Sequence, residues 1–360
     1  MAAKLNKVAF VIPSMGNGGA ERVFRDVIIN LDSECFEAHL ITLVSDGQNI
    51  DSVRHLPNVH IHSIQGGKIL NPVAILKMLK LLRREKFTTI ISTLMQLNVI
   101  LGLCKGFVSS KSKWIAREAN IPSIYIKSKN YNSLFEHLYT KAMNNFDLVI
   151  AQSDDMLEDM RDSYGISTQI VKINNPSPIA EPVVYQRVIR DEQCLELVTV
   201  GRLSYQKGFE RLIRTMAQVK RKFRLRIFGD GPFKADLEKV IAELGLEESV
   251  FLMGIERDHD KVYKDADCYL LSSYFEGFPN VLLEALSYGL PCIAFDAKGG
   301  INEIINQSFI GRVVNSQEEY AQTVESFERD NYSSEQIQRN GTERFNPKLI
   351  YKQYEQVLIN

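Results

Sequence analysis

The sequence predicts an α/β fold: two Rossmann-like, doubly wound parallel-sheet domains in series. Three observations predict it. Short β-branched runs alternate with helical stretches along the chain, the order that builds a parallel sheet covered by helices. The alternation breaks once, at Asn174–Arg190, which carries Pro176, Pro178 and Pro182 and little periodicity, as a linker does. The chain has 360 residues, enough for two domains of about 100–200 residues each.

In the first half, strands are expected at Val8–Ile12, His39–Val44, Val59–Ile64, Thr89–Ser92, Lys113–Arg117, Leu148–Ala151 and Ile170–Ile173, with helices at Glu21–Leu31, Pro72–Lys86 and Ser153–Tyr164. Lys4 and Lys7 precede Val8–Ile12 in the manner of an export signal. Five apolar residues are too few for its core, and a glycine turn follows, so the run reads as a buried first strand. In the second half, strands are expected at Leu195–Val200, Leu225–Phe228, Val250–Met253, Cys268–Leu271, Pro291–Ala294 and Gly311–Val314. Helices are expected at Phe209–Lys220, Phe233–Leu244, Asn280–Tyr288 and Gln317–Asp330. The domains are then 1–175 and 191–346, joined by 176–190. A terminal helix at Pro347–Leu358 places Leu349, Ile350, Tyr354 and Leu358 on one stripe, and 347–360 needs a surface to pack on.

Composition removes several function classes. Apolar residues make up 45% and charged residues 24%, a globular balance. Lys+Arg number 43 and Asp+Glu 44, so the whole protein exerts no bulk grip on nucleic acid. Five scattered cysteines with no CxxC pair suit a reducing compartment, not a disulfide framework or a structural zinc site. His60 and His62 share one face of a strand, but no neighbouring Cys, Asp or Glu completes a ligand set in the sequence, so no metal site is expected. No apolar run reaches the roughly 18 residues of a membrane helix.

Near-neutrality conceals an asymmetry. Residues 1–175 hold 20 Lys/Arg against 16 Asp/Glu, and the remainder 23 against 28. The window 68–129 has 12 basic residues opposed only by Glu85 and Glu118. Within it Lys77, Lys80 and Arg84 form one helical stripe, with Val73, Leu76, Leu79 and Leu82 on other faces. Such an element suits an anionic bilayer or a phosphate-bearing substrate; a solvated surface helix has the same pattern.

Four loops carry the candidate chemistry. After the first strand comes Ser14-Met15-Gly16-Asn17-Gly18-Gly19-Ala20-Glu21-Arg22, a glycine turn opening a helix, where backbone N–H groups and the helix dipole favour a phosphate. Glu21 occupies the third glycine position of a dinucleotide fingerprint, and no GK[ST] follows, so neither that pattern nor a Walker loop applies. The second half opens in parallel style with Gly201-Arg202-Leu203-Ser204-Tyr205-Gln206-Lys207-Gly208. Arg202 and Lys207 leave the carboxyl edge of a sheet, where open α/β folds bind ligands, and two cations beside a glycine turn suit a diphosphate. The most specific element is Ser272–Ala285, containing Glu276-Gly277-Phe278-Pro279-Asn280-Val281 and, eight residues after Glu276, Glu284. Helical rise separates the two carboxylates by up to about 12 Å, more than a glycosidase pair needs, so they suit two contacts along an elongated ligand, with vicinal hydroxyls as natural partners. Gly229-Asp230-Gly231-Pro232 lies at the same edge and can reach a base or serve as a simple turn.

Together these residues resemble the retaining nucleotide-sugar glycosyltransferases of family 4, which have the GT-B fold of two Rossmann-like domains facing a cleft. Gly201-Arg202-Leu203 with Lys207-Gly208, Gly229–Pro232, and Glu276-Gly-Phe-Pro with Glu284 carry the resemblance. Gly18-Gly19-Ala20-Glu21-Arg22 is similar to the N-terminal loop of polysaccharide-building members. The resemblance implies that Arg202 and Lys207 neutralise the diphosphate and that Glu284 binds ribose hydroxyls. It implies that Glu276 holds hydroxyls of the transferred sugar, with the Phe278 and Asn280 backbone nearby, and that Gly18 and Gly19 approach phosphate and sugar. Relatives place a histidine or similar polar residue after a strand of the first domain; here that region reads Arg117-Glu118-Ala119-Asn120, which nominates Glu118 or Asn120. The terminal helix of this fold crosses back to the first domain.

The implied activity is retaining, metal-independent hexosyl transfer with no cofactor beyond the nucleotide-sugar co-substrate. Arg202, Lys207 and the helix start at Asn280 would stabilise the departing diphosphate. The Asp-x-Asp triplets at 258–260 and 265–267 are not placed as a metal–diphosphate clamp and read as structural. With the basic window, the expectation is a hexose or N-acetylhexosamine moved from a UDP-sugar to a lipid-linked glycan, in O-antigen, capsule or related surface-polysaccharide synthesis. The expected location is the cytoplasmic face of a bacterial inner membrane. A nucleotide-sugar 2-epimerase and a two-domain sugar-binding protein are the alternatives.

Overall fold

The computed structural model describes residues 5–16, 18–108, 111–183 and 194–359. The chain divides into two compact units, Met1–Asn175 with Lys348–Asn360, and Pro176–Pro347. Unit 1 runs β1 (Asn6–Ile12), α1 (Gly19–Asn30), β2 (Phe36–Thr42), α2 (Asp51–Arg54), β3 (Val59–Ser63), α3 (Pro72–Glu85), β4 (Thr89–Thr93), α4 (Met95–Cys104), β5 (Lys113–Arg117), α5 (Pro122–Ser128), α6 (Ser133–Met143), β6 (Leu148–Ala151), α7 (Asp154–Asp162) and β7 (Ile170–Lys172). Unit 2 runs β8 (Leu195–Val200), α8 (Phe209–Met216), β9 (Phe223–Phe228), α9 (Lys234–Glu243), β10 (Val250–Gly254), α10 (His259–Tyr263), β11 (Cys268–Leu271), α11 (Asn280–Ser287), β12 (Cys292–Phe295), α12 (Ile301–Ile304), β13 (Gly311–Val314), α13 (Gln317–Glu325) and α14 (Ser334–Arg344). The last helix is α15 (Pro347–Leu358).

Each unit holds one sheet of parallel pairs. The strand order is β3-β2-β1-β4-β5-β6-β7 in unit 1 and β10-β9-β8-β11-β12-β13 in unit 2. Helices on both faces leave the central strands no solvent side, so they are buried throughout: Val8–Ile12 is wholly buried, as are all residues of β4 and β11. The order reverses between β1 and β4 and again between β8 and β11. At such a switch point the loops leaving two adjacent strands part in opposite directions and open a crevice at the carboxyl edge.

The structure departs from the sequence reading in ways that have physical causes. α4 was not expected, because Met95–Cys104 is apolar around its circumference and shows no helical period. α14 was missed for the opposite reason: its sequence is polar, and it is held by contacts such as Gln338 Nε2 donating to Ser287 O at 2.9 Å. α5 and α6 fill a stretch to which the sequence assigns no element. The helix expected over Phe209–Lys220 stops at Met216, because Glu325 accepts the Lys220 N–H at 2.7 Å and turns the chain into β9. β2 lies at Phe36–Thr42 rather than His39–Val44, which brings Glu37 into the strand beside His39. The carboxylate missing from the histidine pair in the linear sequence is therefore supplied by the neighbouring strand.

Two helices present faces other than those expected. In α3 the buried stripe is Ala74, Met78 and Leu82, while Leu76 and Val73 are exposed next to Lys77 and Lys80. Asn71 caps its start, accepting from Val73 N at 3.0 Å. In α15 Ile350, Tyr354 and Leu358 are buried at i, i+4 and i+8, and Leu349 is exposed. α15 packs on unit 1: Thr89 Oγ1 donates to Leu358 O at 2.8 Å, and Asp32 N to Glu355 Oε1 at 2.8 Å. The segment 176–190 lies in part outside the described residues; its start is tied to unit 2 by Ser177 N donating to Phe345 O. Among the described residues no helix is long and apolar enough to cross a membrane. All five cysteines are unpaired thiols.

Candidate active site

In unit 2 the three loops singled out in the sequence meet at one sheet edge. The turn after β8 lies against the turn after β9: Gly201 N donates to Phe228 O at 2.9 Å, and Leu203 N to Asp230 O at 3.0 Å. Gly229 has φ +138°, and a Cβ there would stand 1.9 Å from Gly201 O. Only glycine permits both the conformation and the approach. On the other side of β8, Gly208 (φ +61°) lies so close to the turn after β11 that a Cβ would meet Ser272 O at 2.1 Å. Ser272 Oγ donates to Lys207 O at 2.8 Å.

This juxtaposition sets the charges. Lys207 Nζ donates to Glu276 Oε1 at 2.7 Å, and Ser273 Oγ donates to the same oxygen at 2.5 Å. Glu276 is 6% exposed, and its Oε2 accepts no hydrogen bond among the described residues. A buried carboxylate with one oxygen committed has its second available for a ligand hydroxyl. Arg202 stands exposed at the strand end, without an ion pair among the described residues. Glu284, 5% exposed on α11, accepts from Tyr263 OH at 2.7 Å. Phe278 and Val281 are buried, Phe278 packing edge-on to Phe345, and Pro279 precedes the first residue of α11, Asn280. Asp230 Oδ1 accepts the N–H of Gly231 at 2.8 Å. The carboxylates of both Asp-x-Asp triplets serve the fold: Asp258 caps α10 and Asp267 Oδ2 accepts Glu196 N at 2.9 Å.

Sequence reasoning missed the brace beneath these loops. Arg211 Nε donates to Ser272 O at 2.8 Å and its second nitrogen to Ser273 O at 2.5 Å, while its guanidinium is sandwiched 4.1 Å from both the Tyr274 and Phe295 rings. An arginine two residues into a helix carries no signal of this in the sequence, because its partners lie about sixty positions away.

In unit 1 the glycine turn after β1 also reaches the switch point. Met15 N donates to Asp46 O and Asn49 N to Met15 O, at 2.9 and 2.8 Å. Asn17 lies outside the described residues. Gly18 precedes α1 without a capping side chain, and Glu21 folds back over it. Burial raises the Glu21 carboxyl above its ordinary range, opposed by Arg117 and Arg22. Arg117 itself is 0% exposed, donating to Tyr354 OH at 2.9 Å, Asn175 Oδ1 at 2.7 Å and Thr93 Oγ1 at 3.4 Å. Glu118 is 1% exposed and accepts from Asn98 Nδ2 at 2.8 Å; burial pushes its pKa up to about 7. Glu118 is thus an interior residue, while Asn120 is half-buried. Across the switch point Leu94, after β4, has φ +76°. A branched residue held in that region costs about 1–3 kcal/mol, and such strain gathers at functional sites. No sequence pattern announces it.

Comparison with known proteins now places the chain. A family model described as Glycosyltransferase Family 4 matches residues 17–179, and one described as Glycosyl transferases group 1 matches residues 186–344. An enzyme of Campylobacter jejuni is 31% identical over 326 residues, covering 86% of each chain: N-acetylgalactosamine-N,N'-diacetylbacillosaminyl-diphospho-undecaprenol 4-alpha-N-acetylgalactosaminyltransferase. The chain belongs to the group 1 and family 4 glycosyltransferases. The lipopolysaccharide outer core galactosyltransferase WaaB, in its apo form, has a similar structure with TM-score 0.76 at 21% identity, covering 98% of this chain and 99% of that one. Anabaena HepE in complex with UDP-glucose gives TM-score 0.79 at 19% identity over 98% and 99%. The fold is that of GT-B glycosyltransferases, two parallel-sheet α/β domains.

Proposed function

We propose that this glycosyltransferase moves a hexose or N-acetylhexosamine from a UDP-sugar to a lipid-linked glycan in surface-polysaccharide synthesis, with retention at the anomeric carbon. The observation that carries the donor half is the Lys207–Glu276 pair at the unit 2 switch point, flanked by Arg202 and by the Gly201–Gly229 contact. Arg202 and Lys207 meet the diphosphate, Arg202 by its fork and Lys207 as a point charge. Glu276 Oε2 takes a sugar hydroxyl, and Glu284 takes ribose hydroxyls. The amides at the start of α11 face developing phosphate charge. The amide-rich turn at Gly18 and Gly19 is the unit 1 candidate for the phosphate and sugar end. As the bond from C1 to the diphosphate breaks, the new bond to the acceptor oxygen forms on the same face. The leaving phosphate accepts the acceptor proton, which leaves no metal or cofactor with a step to perform. UDP-glucose bound by Anabaena HepE supports UDP as the carrier.

The acceptor half is supported by the diphospho-undecaprenol substrate in the name of the Campylobacter relative and by the outer face of α3. There Leu70, Val73 and Leu76 are 73%, 60% and 57% exposed, beside exposed Lys77, Lys80 and Arg84. Apolar side chains ringed by cations suit an anionic bilayer surface, which supports a peripheral position on the inner membrane face.

The test is a donor screen following nucleoside diphosphate release across UDP- and GDP-sugars with a lipid-linked acceptor. Arg202→Ala and Glu284→Ala are each expected to lower turnover by about 10²–10³-fold, with folding checked by circular dichroism. Wild-type rates in both sink the assignment, and a 2-epimer formed from UDP-N-acetylglucosamine alone would assign epimerase chemistry instead. For the membrane face, changing Lys77, Lys80 and Arg84 together to Gln is expected to release the protein from anionic vesicles. Unchanged binding refutes α3 as the contact.

A further inference from the structure

At one edge of the unit 1 sheet, β2 and β3 bring together four side chains that the transferase chemistry does not use. Their parallel register sets His39 opposite His60 and Ile41 opposite His62. The period-2 alternation of strands then puts Glu37 and His39 on one face of β2, beside His60 and His62 on β3. Glu37 Oε1 lies 2.8 Å from His39 Nε2 and 3.2 Å from His60 Nε2. The three ligand atoms all fall within 4.8 Å of one another. Zinc binds imidazole nitrogen and carboxylate oxygen at about 2.0–2.2 Å in tetrahedral array, so three atoms this close enclose one ion with small side-chain movements.

The surroundings are those of a built site. His39 is 4% exposed, its ring fixed edge-on against Phe87 at 5.0 Å. Its other nitrogen, Nδ1, lies 2.9 Å from His62 Nε2. A metal-bound histidine characteristically donates its second N–H to such a partner, which holds the tautomer and the ring plane. The nearest cation, Lys7, is engaged by Glu85 at 2.9 Å. The His60 side chain is 52% exposed, so water has access to a fourth position.

We propose that Glu37, His39 and His60 bind a divalent cation of the zinc class, with His62 as the outer hydrogen-bond partner of His39. Two imidazoles and one carboxylate select zinc or its first-row neighbours over magnesium or calcium. On binding, the ion takes the place of the proton between His39 Nε2 and Glu37, and His39 carries its single ring proton on Nδ1, donated to His62. Glu37 and His60 sit near the amino-terminal ends of β2 and β3 and His39 at the middle of β2, short of the carboxyl edge that carries the glycine turn. The ion is therefore a staple between the edge strand and the sheet, with no part in transfer.

The test is calorimetric titration of the chelator-stripped full chain with zinc chloride. One zinc per chain is expected to bind saturably, His60→Ala to abolish that isotherm, and His62→Ala to weaken it by about 10–100-fold. Both substituted positions are at least partly exposed, so the variants keep the fold. Cys35→Ser, removing an exposed thiol at the start of β2, is expected to bind as the wild type does. Saturating zinc should also raise the unfolding midpoint of the wild type and leave that of His60→Ala unmoved. Absence of saturable binding, a wild-type isotherm in His60→Ala, or loss of binding in Cys35→Ser overturns the proposal.

Discussion

The two switch points are built by opposite strategies. In unit 2 each functional residue lies within a short motif, and the glycines of that motif create the contacts: Gly229 against Gly201, Gly208 against Ser272. In unit 1 the glycine turn is only the rim. Behind it is a buried polar network in which Arg117 joins Thr93, Asn175 and Tyr354, while Asn98 links Ser92 to Glu118. The unit 2 loops are placed by close backbone approach, with Arg211 as a brace beneath them. A buried guanidinium requires partners drawn from distant parts of the chain, because each of its donors costs free energy if left unpaired. The difference teaches that the unit 2 edge is modular, whereas the unit 1 edge is bound up with the stability of its whole unit.

That contrast can be broken by substitution. The largest expected effect is at Lys207. Lys207→Ala should lower kcat/KM for the nucleotide sugar by about 10²–10³-fold while leaving the unfolding transition of unit 1 where it was. A fall in unit 1 stability would show that the unit 2 edge is not modular. Next is Arg117→Ala, expected to destabilise unit 1 by about 3 kcal/mol, since it leaves the Tyr354 hydroxyl and Asn175 carbonyl without their donor. The chain has a single tryptophan, Trp114, buried on β5 of unit 1, so tryptophan fluorescence during urea unfolding reads that unit selectively. An unshifted midpoint would mean that the network is ornamental to stability.

The smallest effect is a change of slope with pH. The Glu118 carboxyl is raised by burial from 4.5 to about 7, so between those values the folded chain holds a proton that the unfolded chain has lost. Stability therefore falls as pH rises through that window. Relative to Glu118→Gln, which keeps an oxygen for Asn98, the wild type should lose stability from about pH 5 to about pH 7 and run parallel above it. A constant difference across the whole range would show that Glu118 is ionised in the folded state.

The same contrast explains what was legible in the sequence. β5, β6, β8, β11 and β13 were read to the residue because each is a short apolar or β-branched run closed by a turn signal. Arg202, Lys207, Glu276 and Glu284 could be singled out because glycines and a following helix mark their loops, and the structure pairs Lys207 with Glu276. What escaped were features fixed by register or by distance. α4 lacks a polar face, Leu94 is an ordinary leucine in an uncommon conformation, and the partners of Arg211 and Arg117 lie tens to hundreds of residues away. On α3 the cationic stripe was legible but the buried one was not, because its apolar residues outnumber the positions that the core accepts: Ala74, Met78 and Leu82 are buried, and Val73 and Leu76 are exposed. Glu37 was passed over because only the β2–β3 pairing brings it to His60.

The return of α15 to unit 1 has a consequence for how the protein is made. Unit 2 is, in chain terms, an insertion between Asn175 and Lys348. The hydroxyl that receives Arg117 Nε, and the apolar stripe of Ile350, Tyr354 and Leu358, are translated after unit 2. Domains generally fold as units, N-terminal first, during synthesis. Here that order is interrupted: the first half emerges early, yet its buried arginine waits for a partner until unit 2 has left the ribosome. Unit 1 reaches its final form only after unit 2 has been synthesised, so the folding of the first unit depends on the synthesis of the second.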